Sequence, residues 1–332
     1  MPNRVPQAPE RNIALELVRV TEAAALAAAR WQGRGDRDGA NNAAIEAMRV
    51  VLNTVQMDGL VVIGEGPKGD TAALYNGERL GFGLEPATDV AVDAIEGNTL
   101  LAQGRSNAIS VIATAERGSM FDPGPCSYMD KIVVGADSVG VVDLDRPPAE
   151  NVKAIAKAKG ENVRDITVVI LDRPRHYDLI ADIRSSGARI QLIQDGDVAG
   201  ALSAIWPGAG ADMLYGIGGT SEGVITATAI KCAGGEIQGR IWSRNNDDRQ
   251  AALGAGYDLD MTFTADDLVK SGNCFFAATG ITDGRLLKGV QYHPDTATTE
   301  SLVMRSKSGT SRLVQAHHRL DKLAEFSEVD YE

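Results

Sequence analysis

Five short apolar runs in this chain end the same way, in a turn built from glycine and charged residues. Leu60 to Ile63 leads into Gly64-Glu65-Gly66, and Val90-Ala91-Val92 into Asp93. Ile166 to Leu171 leads into Asp172-Arg173-Pro174-Arg175, Ile190 to Ile193 into Asp195-Gly196-Asp197, and Met213 to Ile217 into Gly218-Gly219 and then Glu222. Apolar runs this short, bounded by turn residues, read as buried strands. Strands buried on both faces need helices to cover them, so the pattern specifies an α/β fold. Ligands gather at strand ends in such sheets, and this placement is what one shared site requires.

The covering helices have their own signals. Asn12 precedes Ile13, Leu17, Val20 and Ala24 at helical spacing, which predicts a helix running towards Arg30. A second helix is expected from Ala43 to Val55, after the break at Gly33-Arg34-Gly35-Asp36. Ala108 to Ala113 and Lys131 to Val134 are further strand candidates, and Asn245 to Arg249 reads as a polar loop. Beyond residue 160 the alternation of strand and helix suggests a mainly parallel sheet. Pro147-Pro148 marks a boundary between an N-terminal lobe, residues 1–146, and a C-terminal lobe, residues 147–332.

The 332 residues carry a net charge of −12, which argues against a nucleic-acid partner, because that affinity comes from Lys and Arg on backbone phosphates. A small phosphorylated ligand needs only a local basic pocket and bound cations. Cys126, Cys232 and Cys274 are widely spaced, without a CxxC pair, so neither a disulfide framework nor a thiolate zinc site is indicated, and a reducing cytoplasm is the simpler home. The lead from Met1 to Pro6 has no apolar core behind it, and no stretch is apolar long enough to span a bilayer.

The strongest chemical signal is Asp93-Ala94-Ile95-Glu96-Gly97-Asn98-Thr99, where two carboxylates three apart follow a buried strand. Asp36, Glu65 and Glu222 can complete a set of hard oxygen ligands suited to Mg²⁺ or Mn²⁺. For any one of these acids taken alone, a helix N-cap or an exposed turn is the simpler assignment. Arg173-Pro174-Arg175-His176 places two guanidinium groups where a phosphate could sit, or forms a surface Arg pair. Asp195-Gly196-Asp197 could accept hydrogen bonds from sugar hydroxyls, or be an ordinary turn. Gly216 to Gly223 is similar to a phosphate-cradling loop, though it lacks the lysine of a P-loop.

Taken together, these motifs resemble the class II fructose-1,6-bisphosphatase family, within the lithium-sensitive sugar and inositol phosphatases. The resemblance runs from Arg11 to Phe326 and is carried by Gly33 to Asp36, Val62 to Gly66, Ala91 to Gly97, Tyr128 to Lys131, Leu171 to His176, Asp195 to Val198 and Tyr215 to Gly219. The segments Arg11 to Thr21 and Met304 to Thr310 look closest to the actinobacterial branch. The resemblance implies a layered αβαβα fold with two sheet-containing lobes and a homo-oligomer, dimer or tetramer. It implies that Asp36, Glu65, Asp93, Glu96 and Glu222 hold Mg²⁺ or Mn²⁺, and that Tyr128, Arg173, Arg175, Asp195 and Asp197 contact the substrate. The implied reaction is hydrolysis of the 1-phosphate of fructose-1,6-bisphosphate, and of sedoheptulose-1,7-bisphosphate in some relatives.

Several catalytic positions depart from the family pattern D-P-x-D/E-G-T. The Pro is Ala94, and the Thr that orients the attacking water is Asn98, with Thr99 one position later. An acid upstream is Asn41, and the acid after G-E-G is Pro67. Asn98, Thr99, Asp36 and Glu65 are therefore the candidate catalytic positions. Two alternatives stay open: a paralogue retuned to another phosphorylated sugar or cyclitol, and a non-catalytic sugar-phosphate-binding protein.

Overall fold

Each of the first two helices begins where a side chain satisfies an amide that the helix cannot. Asn12 Oδ1 accepts the Ala14 amide at 3.1 Å, and α1 (Ala14–Ala29) follows. Asp36 Oδ1 accepts the Gly39 amide at 2.8 Å, so α2 (Arg37–Leu52) starts at Arg37, ahead of the Ala43 that apolar spacing indicates. The structure, a computed structural model, describes residues 12–71 and 73–326. The lead from Met1 to Arg11 lies outside them.

The chain continues through β1 (Asp58–Ile63), β2 (Arg79–Leu80), β3 (Ala87–Glu96), α3 (Asn98–Ala102), β4 (Ile109–Glu116) and β5 (Tyr128–Val134). Strands and helices then alternate: α4 (Pro148–Lys159), β6 (Thr167–Leu171), α5 (Tyr177–Ser185), β7 (Arg189–Ile193), α6 (Asp197–Ile205), β8 (Met213–Gly219), α7 (Thr220–Ala233) and β9 (Glu236–Trp242). Last come α8 (Asn246–Gly254), β10 (Phe263–Thr264), α9 (Ala265–Leu268), β11 (Phe275–Gly280), β12 (Gln291–Tyr292), β13 (Thr296–Arg305), β14 (Thr310–Arg319) and α10 (Leu320–Phe326).

Two sheets divide these strands. One runs β12-β13-β11-β4-β3-β1-β2, with β14 on the free edge of β13; the other runs β10-β9-β5-β8-β6-β7. The second sheet is mixed, contrary to the mainly parallel arrangement expected. Only β6 with β7 and β6 with β8 are parallel, while β5 runs antiparallel to both β8 and β9. Strand–helix alternation specifies crossovers, but it does not say which earlier strand slots between them. Strand β5 joins the second sheet, and β11 to β14 return to the first.

Alternation within the strands builds the layers. Val90 and Val92 of β3, Ile112 of β4 and Ala277 of β11 pack towards α1 and α2. Ala91, Val111 and Phe276 point the other way, onto a middle layer that includes α6 and α7. Met129 and Val133 of β5 reach the same layer from the second sheet, while Ile132 and Val134 face α4 and α5 beyond it. The order is therefore helix, sheet, helix, sheet, helix, the expected αβαβα arrangement. Among the described residues, no helix is long and apolar enough to cross a membrane.

The segment from Asn245 to Arg249, expected as a loop, is instead the cap and first turn of α8. Asn245 Oδ1 accepts the Asp248 amide at 2.8 Å, and Asp247 and Asp248 suit the positive end of the helix.

Phe276 is fully buried in the middle layer. Phe276→Ala should cost about 3–5 kcal/mol, read as a lower urea midpoint at unchanged slope. A loss under about 1 kcal/mol would mean that the sheet and the middle layer are not closely packed there.

Candidate active site

Strand β3 does not stop at Asp93. It continues to Glu96 with a break in its register against β4 between those two residues, and Gly97 then turns the chain into α3. Gly97 has φ of +96°, a left-handed conformation that a side chain would strain. The carboxylates separate at this break. Glu96 is buried and accepts the Val198 amide at 2.8 Å and the Ala199 amide at 3.4 Å, in the first turn of α6. Asp93 instead lines a cleft of about 340 Å³ with Glu65, Asn98, Asp195, Glu222 and Arg37.

Glu65 is tied to β3 by the Ala94 amide at 2.8 Å and to α2 by Asn41 Nδ2 at 3.4 Å. Asn98 Nδ2 donates to Asn41 Oδ1 at 3.1 Å, so two of the four positions that depart from the family pattern are bonded to each other. Asn98 Oδ1 is buried without a hydrogen-bond partner among the described residues. Thr99 contributes its amide to Asp195 Oδ2 at 3.3 Å. Asp36 is exposed at the α2 cap and does not line the cleft.

The start of α7 carries Glu222. A Cβ on Gly219 would meet Glu222 Oε2 at 1.6 Å, and one on Gly218 would meet Asp197 Oδ2 at 2.0 Å, so both glycines leave room for carboxylates against bare backbone. Asp197 is buried and faces Lys131 Nζ at 2.5 Å; the same ammonium donates to the Gly219 carbonyl at 2.8 Å. Lys131 is 1% exposed. Its role as the counter-ion of Asp197 is absent from the sequence reading, although a lysine inside the apolar strand Tyr128 to Val134 is the available signal.

Burial first, and then the charges of Glu65, Glu96, Glu222 and Asp195, hold the Asp93 carboxyl well above the usual carboxylate range. Burial and the Asp197 charge push Glu96 well above it as well. Glu222 is raised by burial and by Asp197, with Lys131 opposing. Glu65 is raised by burial against the bonds from Ala94 and Asn41. These are acids confined together at a shortage of positive charge.

Among the described residues, no group of three or more Asp, Glu, His or Cys side chains is arranged so that it could hold a metal ion. The acids are close enough to raise one another's pKa without being closed around a common point. Their chemistry nonetheless fits a hard divalent cation: oxygen donors, mutual repulsion and the unpartnered Asn98 oxygen at the cleft.

A cationic group lies at the same end of the second sheet, where Tyr128 pairs with Gly219 and Trp242. Arg173 donates to the carbonyls of Asp172 and Gln194, and Arg175 to that of Ile217. The guanidinium of Arg175 lies 5.3 Å from the Tyr128 ring centroid. His176 is buried, with Nδ1 at 2.7 Å from the Leu171 carbonyl and Nε2 accepting the Ile217 amide at 2.8 Å. It fixes the turn that carries both arginines. The larger cavity of about 740 Å³ lies at the other end of this sheet, where Lys159 is already paired with Asp212 and Asp137.

Residues 11–318 match the family described as bacterial fructose-1,6-bisphosphatase, glpX-encoded. The fructose-1,6-bisphosphatase class 2 of Haemophilus influenzae is 43% identical over 326 residues, covering 94% of this chain and 98% of the relative. The fructose-1,6-bisphosphatase 1 class 2 of Escherichia coli K12 is 41% identical over 325 residues, covering 94% of this chain and 96% of the relative.

Removing the Lys131 charge strands Asp197 in the interior. Lys131→Met should lower stability by about 3–5 kcal/mol, and Lys131→Met with Asp197→Asn should recover more than half of that loss. Equal denaturation midpoints for the single and double variants would contradict the pairing.

Proposed function

Because the chain belongs to the class II fructose-1,6-bisphosphatase family, we propose that it hydrolyses the 1-phosphate of fructose-1,6-bisphosphate, and that of sedoheptulose-1,7-bisphosphate as a second substrate. The family consists of phosphoric monoester hydrolases, and the chain is an enzyme of that class. The observation that carries the substrate assignment is that acids and arginines gather at the same strand ends of the second sheet. A cleft of mutually repelling acids lies at the strand ends beside arginines whose hydrogen bonds go to backbone carbonyls.

Glu65, Asp93 and Glu222, which line the cleft, would hold Mg²⁺ or Mn²⁺; Glu96 and Asp36 would join them only on leaving the α6 amides and the α2 cap that they accept from here. A divalent cation bound there supplies Lewis acidity and neutralises charge on the phosphoryl group. The chain's own groups do the remaining work. Arg173 and Arg175 receive the distal phosphate, since guanidinium donors match its oxygens. Tyr128 borders the sugar, and Asp195 accepts from its hydroxyls while bonded to the Thr99 amide. Lys131 holds Asp197 in place as an acceptor.

Asn98 Oδ1, without a donor of its own, accepts a hydrogen bond from the attacking water. An amide oxygen can orient that water but cannot relay its proton as a hydroxyl can. The Asn41–Asn98 bond also supports a second reading, a site retuned as a pair towards another phosphorylated sugar or cyclitol. A homo-oligomer, dimer or tetramer, is part of the same proposal; edge strand β14, with Leu313 exposed, supports it, and a monomer in sedimentation velocity would remove it.

Phosphate release from fructose-1,6-bisphosphate should be supported by Mg²⁺ or Mn²⁺, abolished by chelator, and lost in Asp93→Asn. Release that survives chelation refutes the site, and release only from other sugar phosphates selects the second reading. Asn98→Thr should raise kcat on the order of tenfold, the worth of one hydrogen bond to a developing charge; an unchanged kcat in a folded variant removes the water-orienting role.

Protonation gives an independent readout. Carboxyls held above their unfolded values of about 3.9–4.3 make the cation-free fold bind more protons than the unfolded chain, so its stability falls as pH rises through the raised range. A divalent cation binds the ionised form and offsets that loss. The rise in Tm on adding Mg²⁺ should therefore be larger at pH 8 than at pH 6, and a pH-independent rise would place the cation elsewhere.

A further inference from the structure

Arg244 lies between the end of β9 and the Asn245 cap of α8. Its guanidinium sits 5.2 Å from the Tyr128 ring centroid, and that of Arg175 sits 5.3 Å from the same centroid. Trp242 meets this ring edge-on at 6.1 Å and packs against it. An aromatic quadrupole offsets only part of the repulsion between two guanidinium groups. Asp248 holds Arg244 by a fork, Nε to Oδ2 at 2.8 Å and Nη2 to Oδ1 at 3.3 Å, which leaves Nη1 outside it. Arg173 and Arg175 have no carboxylate partner among the described residues.

Three guanidinium charges less the Asp248 carboxylate leave two positive charges on one half-exposed surface beside the acidic cleft. A phosphate monoester at pH 7 carries a charge of about −1.5 to −2. We propose that Arg244 is a specificity-determining residue that grips the distal, unhydrolysed phosphate of a sugar bisphosphate, together with Arg175 and beside the Tyr128 ring. This rests on the sugar-bisphosphate reading above. The Asp248 fork preorganises Arg244, so its side chain is ordered before the ligand arrives. A sugar monophosphate esterified only at the reacting end gains nothing from Arg244, and the residue therefore discriminates bisphosphates from monophosphates.

The test compares the full-length wild type, Arg244→Ala and Arg244→Lys in the presence of Mg²⁺. Arg244→Ala should raise KM for fructose-1,6-bisphosphate roughly tenfold, about 1.4 kcal/mol, with kcat within about twofold. Its kcat/KM for fructose 1-phosphate, which lacks the distal phosphate, should change by less than about twofold, and Arg244→Lys should recover part of the KM effect. Equal losses on both substrates, or an unchanged KM for the bisphosphate, would overturn the assignment.

Calorimetry with fructose 6-phosphate separates this inference from the reading beneath it. Failure of the wild type to release phosphate defeats the bisphosphatase reading, whereas the binding arm still decides Arg244. A dissociation constant about tenfold weaker in Arg244→Ala supports the inference. Equal constants, or no binding by the wild type, overturn it.

Discussion

The buried carboxylate of Glu96 joins the two halves of this molecule. It leaves the first sheet at the irregular end of β3 and accepts the first amides of α6, a helix that packs on the second sheet. An acid at a helix N-terminus is stabilised by unpaired amides and by the positive end of the helix. Here that contact also sets position. With Glu96 seated on α6, the turn before the helix brings Asp195 beside Asp93, and the start of α7 brings Glu222 into the same cleft. Displacing Glu96 would open the middle layer where the acids meet.

Concentrating acids in this way is costly without positive charge. Within the fold, one fully buried lysine answers one aspartate, and backbone amides answer Glu65 and Glu96. Asp93 has no such partner among the described residues and is raised by burial and by Glu65, Glu96, Glu222 and Asp195. Beyond Arg37 at the cleft, a surplus of positive charge lies around Tyr128, on arginines directed by backbone carbonyls and by Asp248. A ligand carrying two phosphates and accompanied by divalent cations complements both regions at once. Burial strengthens these interactions because screening is weak where water is excluded.

Much of this plan is legible in the sequence, because apolar runs ending in glycine and acid mark strand ends at a common edge. The family motifs add the layered αβαβα order. What stays hidden depends on tertiary pairing. Nothing local shows that β3 continues past Asp93, because the break in register arises from pairing with β4. Nothing local separates Glu96, which caps a distant helix, from Asp93, which faces the cleft. Asp36 illustrates the competition between roles, since the side chain expected as a ligand makes the cap that starts α2 early. Lys131 looks anomalous in an apolar strand, but its partner lies on α6, far away in the chain. The bond between Asn41 and Asn98 joins two departures that the sequence presents as separate losses.

The central claim is that the buried acids at these strand ends are a divalent-cation site. The most direct test is anomalous diffraction at the manganese edge from crystals of the full chain grown with Mn²⁺. The account predicts an anomalous peak among the carboxylates of Glu65, Asp93 and Glu222, absent in crystals of Asp93→Asn. A peak confined to other residues, or an unchanged peak in that variant, would contradict it.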